Sequence, residues 1–170
     1  LLPLLHAATG PDCIWPNADF FRAKWDEQID RHRKHGYTEY NLEPNVKSCP
    51  GGLRDLQIIG WLAERHFGIE SLEKITSSDF LDPEEMEILY RGREFMWQVR
   101  YALHMITNRE EDRLLFDHQR ELAAIWGLKD GDRLAVEQFM QAYFRNVQAI
   151  SHITALLIDT FENTLSHSKP

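Results

Sequence analysis

The sequence has few cysteines, no long apolar run and no excess of positive charge. Its 170 residues include two cysteines, Cys13 and Cys49, and neither belongs to a Cys-x-x-Cys motif. This argues against a disulfide framework and fits a reducing cytoplasm, where we expect the protein. No apolar run approaches the roughly 20 residues needed to cross a bilayer, so no membrane association is predicted.

The charge balance argues against one broad class of function. The chain has 19 basic and 27 acidic residues, which gives a formal net charge of -8. A general nucleic-acid-binding protein depends on positive charge to neutralise phosphates. A single nucleotide bound at a local basic site remains compatible with this composition.

The apolar periodicity is helical throughout, and no alternating strand pattern is present. With 43% hydrophobic residues, the chain can bury a sizeable core. We predict an all-α helical bundle with two long helices, several shorter helices and one structured Pro-Gly-Gly loop. The predicted helices run from about Asn17 to Gly36, Leu53 to Phe67, Asp82 to Thr107, Asp117 to Gly127 and Asp132 to Asn163, with Gly68 as a terminator and a short turn near Glu70 to Ile75.

Several finer expectations follow from the same patterns. Helix caps are predicted at Asn17, at Asp117 and at Asp82, where Pro83 and Glu85 complete a capping box. The last helix repeats apolar residues at spacings of three and four, as the seam of a bundle does. The tryptophans near helical apolar stripes are predicted to be core, and they are Trp25, Trp61, Trp97 and Trp126.

The segment from Asn41 to Gln57, NLEPNVKSCPGGLRDLQ, differs from the rest of the sequence. Pro50 prevents a helix from continuing through it, and Gly51 and Gly52 permit positive φ or close contact with a ligand. A helix that starts directly after two glycines is expected to point free N–H groups outward, which suits phosphate. An ordinary helix entry with unremarkable charges is the alternative.

The same segment carries a resemblance to a known family. Followed by Trp61, Ala63, Arg65, His66, Phe67 and Gly68, it resembles the bacterial [protein-PII] uridylyltransferase/uridylyl-removing enzymes. The resemblance continues in order through Phe20–Phe21, Arg100–Leu103, Asn108 to Gln119 and Tyr143–Arg145, and so covers nearly the whole chain. The region it resembles is the helical domain that follows the nucleotidyltransferase domain.

The resemblance implies a function for the intact enzyme. Such enzymes transfer UMP from UTP to a tyrosine of the PII nitrogen-regulatory protein, and they remove it by hydrolysis. The transfer uses magnesium held by paired aspartates of the nucleotidyltransferase domain, and no Gly-Ser and Asp-x-Asp strand signature occurs in this chain. Asp130-Gly131-Asp132 follows a helix end and is predicted to be a turn and cap, and no His-Asp dipeptide occurs. We therefore expect no catalytic residue and no metal ligand here, and no activity from the fragment alone.

The resemblance also implies a division of the chain. Residues 1–16 would be the end of, or connection to, a missing upstream nucleotidyltransferase domain. Residues 17–165 would be the helical bundle, and residues 166–170 a disordered tail. The apolar start, Leu1 to Leu5, looks like the middle of an element, and we expect it to contact the missing domain.

The candidate residues for the nucleotide cleft are Lys47, Arg54, Asp55 and Gln57. Lys47 would meet a phosphate as a point charge, and Arg54 would bind a phosphate or carboxylate at two points. Asp55 would orient Arg54 or cap backbone N–H groups, and Gln57 shares the helix face of Arg54. A structural role, with Lys47 and Arg54 bound to carboxylates such as Glu43, remains open.

Other motifs receive structural interpretations. Pro50, Gly51 and Gly52 are expected to shape the loop. His32 and His35 are surrounded by basic residues that oppose a metal, and His104 is expected to pack beside Tyr101. The run Glu110 to Asp112 is expected to be a solvated connection. Two alternatives to the uridylyltransferase reading remain: a glutamine-synthetase adenylyltransferase domain and a non-catalytic helical adaptor.

Overall fold

A computed structural model describes residues 16–38, 40–67 and 81–167. The regular secondary structure in these ranges is helical, which confirms the predicted all-α class. The helices are α1 (Asn17–Lys34), α2 (Leu53–Phe67), α3 (Pro83–Thr107), α4 (Phe116–Ile125) and α5 (Ala135–His167).

The capping box predicted at the start of α3 is confirmed. The Asp82 carboxylate accepts the Glu85 N–H at 2.8 Å, and the Glu85 carboxylate accepts the Asp82 N–H at 3.0 Å. Pro83 occupies the first helical position, where the missing N–H has no cost. At the other end, Asn108 adopts a left-handed conformation with φ of 50° and stops the helix.

Two other predicted caps are wrong, because each residue lies inside its helix. The cap position of α1 is Pro16, whose carbonyl accepts the N–H groups of the first turn, and the Asn17 side chain instead accepts from Arg65. The cap position of α4 is Leu115. The Phe116 N–H donates to the Glu43 carboxylate at 3.1 Å, so a distant loop residue takes the part expected of Asp117.

The turn before α5 matches its predicted role. An Asp130 carboxylate oxygen accepts the Ala135 N–H at 2.8 Å, which confirms the turn and cap at Asp130-Gly131-Asp132. The helix begins about one turn later than predicted and continues to His167, so Ser166 and His167 of the predicted tail are helical.

The core is built around α5, which packs against α2, α3 and α4, while α1 packs on α2. The predicted seam of α5 is confirmed, since its central residues are buried: Tyr143, Val147, Ile150, Thr154, Leu157 and Phe161. The α3 stripe is buried likewise, at Met86, Leu89, Met96, Val99 and Leu103.

The core prediction is wrong for two tryptophans. Trp25 is 37% exposed and Trp97 is 45% exposed, because no described element covers these parts of α1 and α3. Tyr101 is also exposed. His104 does not pack beside Tyr101 as predicted, but lies against Asp112.

Some expectations fall outside the described residues. These are the contacts of Leu1 to Leu5, the turn near Glu70 to Ile75, the terminator Gly68 and the end of the tail. Within the described ranges, none of the helices combines the length and the apolar character of a membrane span.

Candidate functional site

The Pro-Gly-Gly loop, residues 41–52, lies between α1 and α2 and is fixed by the connection between α3 and α4. The Val46 N–H donates to the Asp112 carbonyl at 2.8 Å, and the Leu114 N–H donates to the Pro44 carbonyl at 2.8 Å. Asn45 and Arg113 form an isolated antiparallel bridge between these bonds. Two segments without regular structure therefore stabilise each other by backbone pairing.

Asn45 organises the turn that follows. Its side-chain oxygen accepts the N–H groups of Lys47 at 3.1 Å and Ser48 at 2.7 Å, which is the usual use of Asn in a tight turn. Cys49 is buried beneath this turn, and its sulfur accepts the Asn45 N–H at 3.1 Å. Burial raises the pKa of the Cys49 thiol, so the side chain packs as a neutral group.

The N-terminus of α2 has its backbone donors occupied, which corrects the expectation of free N–H groups for phosphate. The donors and their acceptors are Gly51 to the Asp55 carboxylate (2.7 Å), Gly52 to Cys49 O (2.9 Å), Leu53 to Val46 O (3.1 Å), Arg54 to Lys47 O (2.8 Å) and Asp55 to Gly52 O (3.0 Å). The loop folds back over the helix start and supplies the acceptors itself. A ligand at this point must be bound by side chains.

Asp55 is a buried anchor between the loop and α1. It is 1% exposed, its carboxylate lies 2.7 Å from the Arg31 guanidinium, and the ring nitrogen Nε2 of His32 lies 3.0 and 3.1 Å from its two oxygens. Arg31 also donates to the Ser48 carbonyl at 3.2 Å. Of the two supporting roles expected for Asp55, the structure shows backbone capping through the Gly51 N–H, whereas Arg54 is bonded to Glu27 and Gln57.

Sequence reasoning did not assign Arg31 and His32 to this site. Basic residues at the end of α1 complement the helix dipole without any further partner, and the partner of Arg31 and His32 lies 23 or 24 positions further along the chain. A helical wheel gives no signal for such a pairing, although a carboxylate at a position predicted to be buried requires a cation.

The two glycines and the proline have the structural roles expected of them. Gly51 has φ of +71°, and a Cβ at this position would overlap the Val147 carbonyl oxygen of α5. A Cβ at Gly52 would lie 2.8 Å from the Cys49 carbonyl oxygen. Pro50 is buried between these turns. The loop can pack this closely only because two side chains are absent.

Arg54 contacts α1, and Gln57 contacts Arg54, within a charged group that we call the Arg54 cluster, comprising Lys24, Glu27, Arg54, Gln57 and Trp61. The Arg54 Nε and Nη2 atoms lie 3.3 Å from one Glu27 oxygen, and Nη1 donates to the Gln57 side-chain oxygen at 3.1 Å. Lys24 Nζ lies 2.7 Å from the other Glu27 oxygen.

The two cations also share one aromatic ring. Lys24 Nζ lies 4.8 Å, and the Arg54 guanidinium carbon 5.0 Å, from the centre of the Trp61 ring, within cation–π range. Partial burial would raise the pKa of Glu27, but hydrogen bonds and charge from Lys24 and Arg54 outweigh it and lower that pKa. The Glu27 carboxylate is therefore ionised at neutral pH.

Lys47 acts electrostatically on a different acidic residue. Burial would raise the pKa of Asp112, but the hydrogen bonds of Arg100 and His104 and the charges of Arg100 and Lys47 lower it. The Asp112 carboxylate lies 2.6 Å from Arg100 Nε and 3.3 Å from His104 Nε2. The expectation of a solvated acidic run is therefore wrong at Asp112, whose side chain is 20% exposed and paired.

The candidate residues thus divide among three environments. Asp55 is interior, Arg54 contacts α1 and is bonded to Gln57, and Lys47 contributes charge near Asp112. Glu43, named as a possible partner for Lys47 or Arg54, instead lies 3.6 Å from Arg113. Within the described ranges, no three or more His, Cys, Asp or Glu side chains are grouped as a metal ion would require.

These features define the class: an all-helical domain with a preformed glycine loop and charged side chains around it. The sequence model of the GlnD PII-uridylyltransferase family matches residues 19–158. The chain therefore belongs to the GlnD PII-uridylyltransferase family.

Individual relatives agree with this assignment. The chain is 52% identical over 158 residues to the bifunctional uridylyltransferase/uridylyl-removing enzyme of Pseudomonas aeruginosa strain LESB58. The aligned region covers 92% of this chain and 18% of that protein. The enzyme of the same name from Stutzerimonas stutzeri strain A1501 is 49% identical over 158 residues, and the aligned region covers 92% of this chain and 18% of that protein. The enzyme of the same name from Azotobacter vinelandii strain DJ is 48% identical over 162 residues, and the aligned region covers 95% of this chain and 18% of that protein.

The chain thus spans 18% of the length of these curated relatives. No solved structure matches it.

Proposed function

We propose that this chain is the helical domain of a bifunctional uridylyltransferase/uridylyl-removing enzyme. In the whole enzyme it forms one wall of the cleft in which UMP is transferred from UTP to a tyrosine of the PII protein. The domain contributes no catalytic residue and is inactive alone. Its task is to hold the Pro-Gly-Gly loop and the side chains beside it in a fixed position.

The observation that carries this proposal is the preformed loop. Its backbone donors at the start of α2 are occupied, Gly51 is seated against α5, and Asp55 ties it to α1. A loop held in this way fixes the start of α2, so the side chains of Arg54 and Gln57 on that helix lose little conformational entropy when a ligand binds. Support of a neighbouring active centre requires such preorganisation.

Magnesium belongs to the same proposal. The described residues offer no group of three or more His, Cys, Asp or Glu side chains, so we assign no magnesium ion to them. We propose that paired carboxylates of a separate nucleotidyltransferase domain hold the ion beside the phosphates of UTP, and no step of the reaction is assigned to residues of this chain.

The test uses the longer enzyme that contains this chain. Arg54→Ala and Lys47→Ala are each expected to weaken UTP binding or slow UMP transfer to PII about tenfold or more, the usual effect of losing a charged hydrogen bond. Arg33→Ala is the matched control, because Arg33 is exposed and pairs with Asp30 on the outer face of α1. Affinity and turnover unchanged in both test variants would remove Lys47 and Arg54 from the cleft.

The isolated chain provides a second test. Incubated with UTP, magnesium and PII, it is expected to give no UMP transfer above the background without protein. Transfer that scales with the concentration of the chain would contradict the assignment of a supporting role.

A further inference from the structure

The Arg54 cluster has a charge arrangement that differs from that of the simple ion pairs on the helix surfaces. Arg22–Asp19, Arg33–Asp30 and Arg120–Asp117 each join one cation to one carboxylate on one helix. In the Arg54 cluster, the Glu27 carboxylate is divided between two cations, with one oxygen toward Lys24 and the other toward Arg54.

The cluster therefore has an excess of positive charge on a protein of net charge -8. The side chains of Lys24, Glu27 and Arg54 are 22%, 33% and 33% exposed, so an anion in solution can reach them. Both cations lie over the Trp61 ring, which limits their movement and excludes water from one side.

The backbone around Arg54 gives the second part of the argument. Because the donors at the start of α2 are occupied within the chain, a phosphate cannot bind there by the usual helix N-terminus mechanism. The side chains of Lys24 and Arg54 then provide donors on this face, and they already hold an oxyanion in the form of the Glu27 carboxylate.

We propose that Lys24, Arg54 and Trp61 form a polyphosphate-binding site in which the Glu27 carboxylate occupies the position of one phosphate group until a ligand replaces it. A phosphate can offer oxygens to the Arg54 guanidinium and to the Lys24 ammonium at the same time. The Glu27 carboxylate also contacts both cations, but two Arg54 nitrogens share one of its oxygens at the long distance of 3.3 Å. Gln57, already bonded to Arg54, fixes the guanidinium orientation. The identification of the polyphosphate with that of UTP rests on the proposed function.

Glu27→Gln gives the sharpest test, because the exchange removes the competing charge and keeps the shape. If Glu27 is a placeholder, the variant binds tripolyphosphate and UTP about two- to fivefold more tightly than the unmodified chain, as expected from losing a partly exposed ion pair. Arg54→Ala and Lys24→Ala each weaken binding of both ligands. Titration calorimetry at low ionic strength measures the dissociation constants, and uridine without phosphate serves as a probe of base stacking.

The control for the charge change is Glu87→Gln. Glu87 pairs with Arg91 on the exposed face of α3, so its exchange alters net charge equally but leaves the affinity nearly unchanged. Equal tightening in both Gln variants would show a general charge effect and would overturn the placeholder. Weaker binding in Glu27→Gln, absence of tripolyphosphate binding, or uridine binding as tightly as UTP would each overturn it as well.

Failure here is separable from failure of the proposed function. If Glu27→Gln weakens binding while Arg54→Ala slows UMP transfer in the longer enzyme, the supporting role stands and the placeholder does not. If tripolyphosphate binds this face as described but Arg54→Ala leaves UMP transfer unchanged, the anion site stands and its link to UTP fails.

Discussion

Gly51 is the residue at which loop conformation and helix packing meet. It has positive φ, and any Cβ there would overlap the Val147 carbonyl oxygen of α5. Gly51→Ala is therefore expected to lower the free energy of unfolding by more than about 3 kcal/mol, as left-handed strain and overlap with rigid backbone add together. Urea denaturation followed by far-UV circular dichroism measures the loss.

Gly127 provides the matched control for this substitution. It has nearly the same φ of +72°, but a Cβ there meets nothing within 4 Å. Gly127→Ala should cost only the conformational strain, about 1 to 2 kcal/mol. An equal loss in the two variants would show that the loop can move away from α5 and is not seated as described.

The Asp112 carboxylate should make the stability of the protein depend on pH. Its pKa is lowered in the folded protein, chiefly because Arg100 outweighs the effect of burial. A lowered folded pKa contributes stability at pH values above the unfolded pKa, near 4, and that contribution is lost as the pH falls through the folded value. Stability should therefore fall on acidification below about pH 4.

Asp112→Asn tests this expectation directly. The variant should be less stable than the unmodified chain at pH 7, because Arg100 loses its carboxylate, and the difference should shrink toward pH 3. Thermal unfolding at a series of pH values gives both curves. A constant difference from pH 7 to pH 3 would mean that the Asp112 charge is not what stabilises the fold.

The individual side chains show where sequence reasoning succeeds and where it stops. The capping box at Asp82 and the turn at Asp130 were predictable because the interacting groups lie within a few residues of each other. Asp55 meets Arg31 across 24 positions, and Phe116 meets Glu43 across 73. Such partners are set by the packing of whole elements, which local patterns do not encode.

At the scale of elements, substitutions at two glycines inside helices test the effects of helix propensity and of helix packing separately. Gly60 of α2 has open space where a Cβ would lie, whereas a Cβ at Gly92 of α3 would lie 3.0 Å from the Ile150 side chain of α5. Gly60→Ala should stabilise the protein by about 0.5 to 1 kcal/mol, since alanine favours the helix. Gly92→Ala should gain less, because Ile150 must shift.

A larger side chain makes the contrast clearer. Gly92→Leu should lower the free energy of unfolding by about 1 to 3 kcal/mol or more through overpacking between α3 and α5, whereas Gly60→Leu should be nearly neutral. Chemical denaturation of the four variants measures the set. If Gly92→Leu were as stable as Gly60→Leu, the close approach of α3 and α5 would be wrong.

The existence and type of the helices were predictable from periodicity, but the identity of the covered face was less so. The seam of α5 is buried as predicted, because α5 is surrounded by α2, α3 and α4. Trp25 and Trp97 lie on similar stripes yet remain exposed. Periodicity identifies an apolar side of a helix, whereas its burial depends on whether another element packs there.

At the scale of the whole molecule, α5 is the element that joins the others. It packs against α2, α3 and α4, while α1 reaches the bundle through α2 and through the Asp55 anchor. A helix shared by most of the core should make unfolding cooperative, because its loss exposes the apolar faces of its neighbours together. The connection of α1 through fewer contacts makes this helix the first candidate for local opening.

Ile150→Ala tests this cooperativity. Ile150 is fully buried in the α5 seam, and its truncation should lower the free energy of unfolding by about 2 to 5 kcal/mol. Tryptophan fluorescence reports on four elements, because α1, α2, α3 and the end of α4 carry Trp25, Trp61, Trp97 and Trp126. The fluorescence transition should therefore shift together with the helical signal from far-UV circular dichroism. Separate transitions in the variant would show that α5 does not unite the bundle. Leu156→Ala, on the more exposed side of the same helix, should move both transitions by a much smaller amount, because it removes little buried surface.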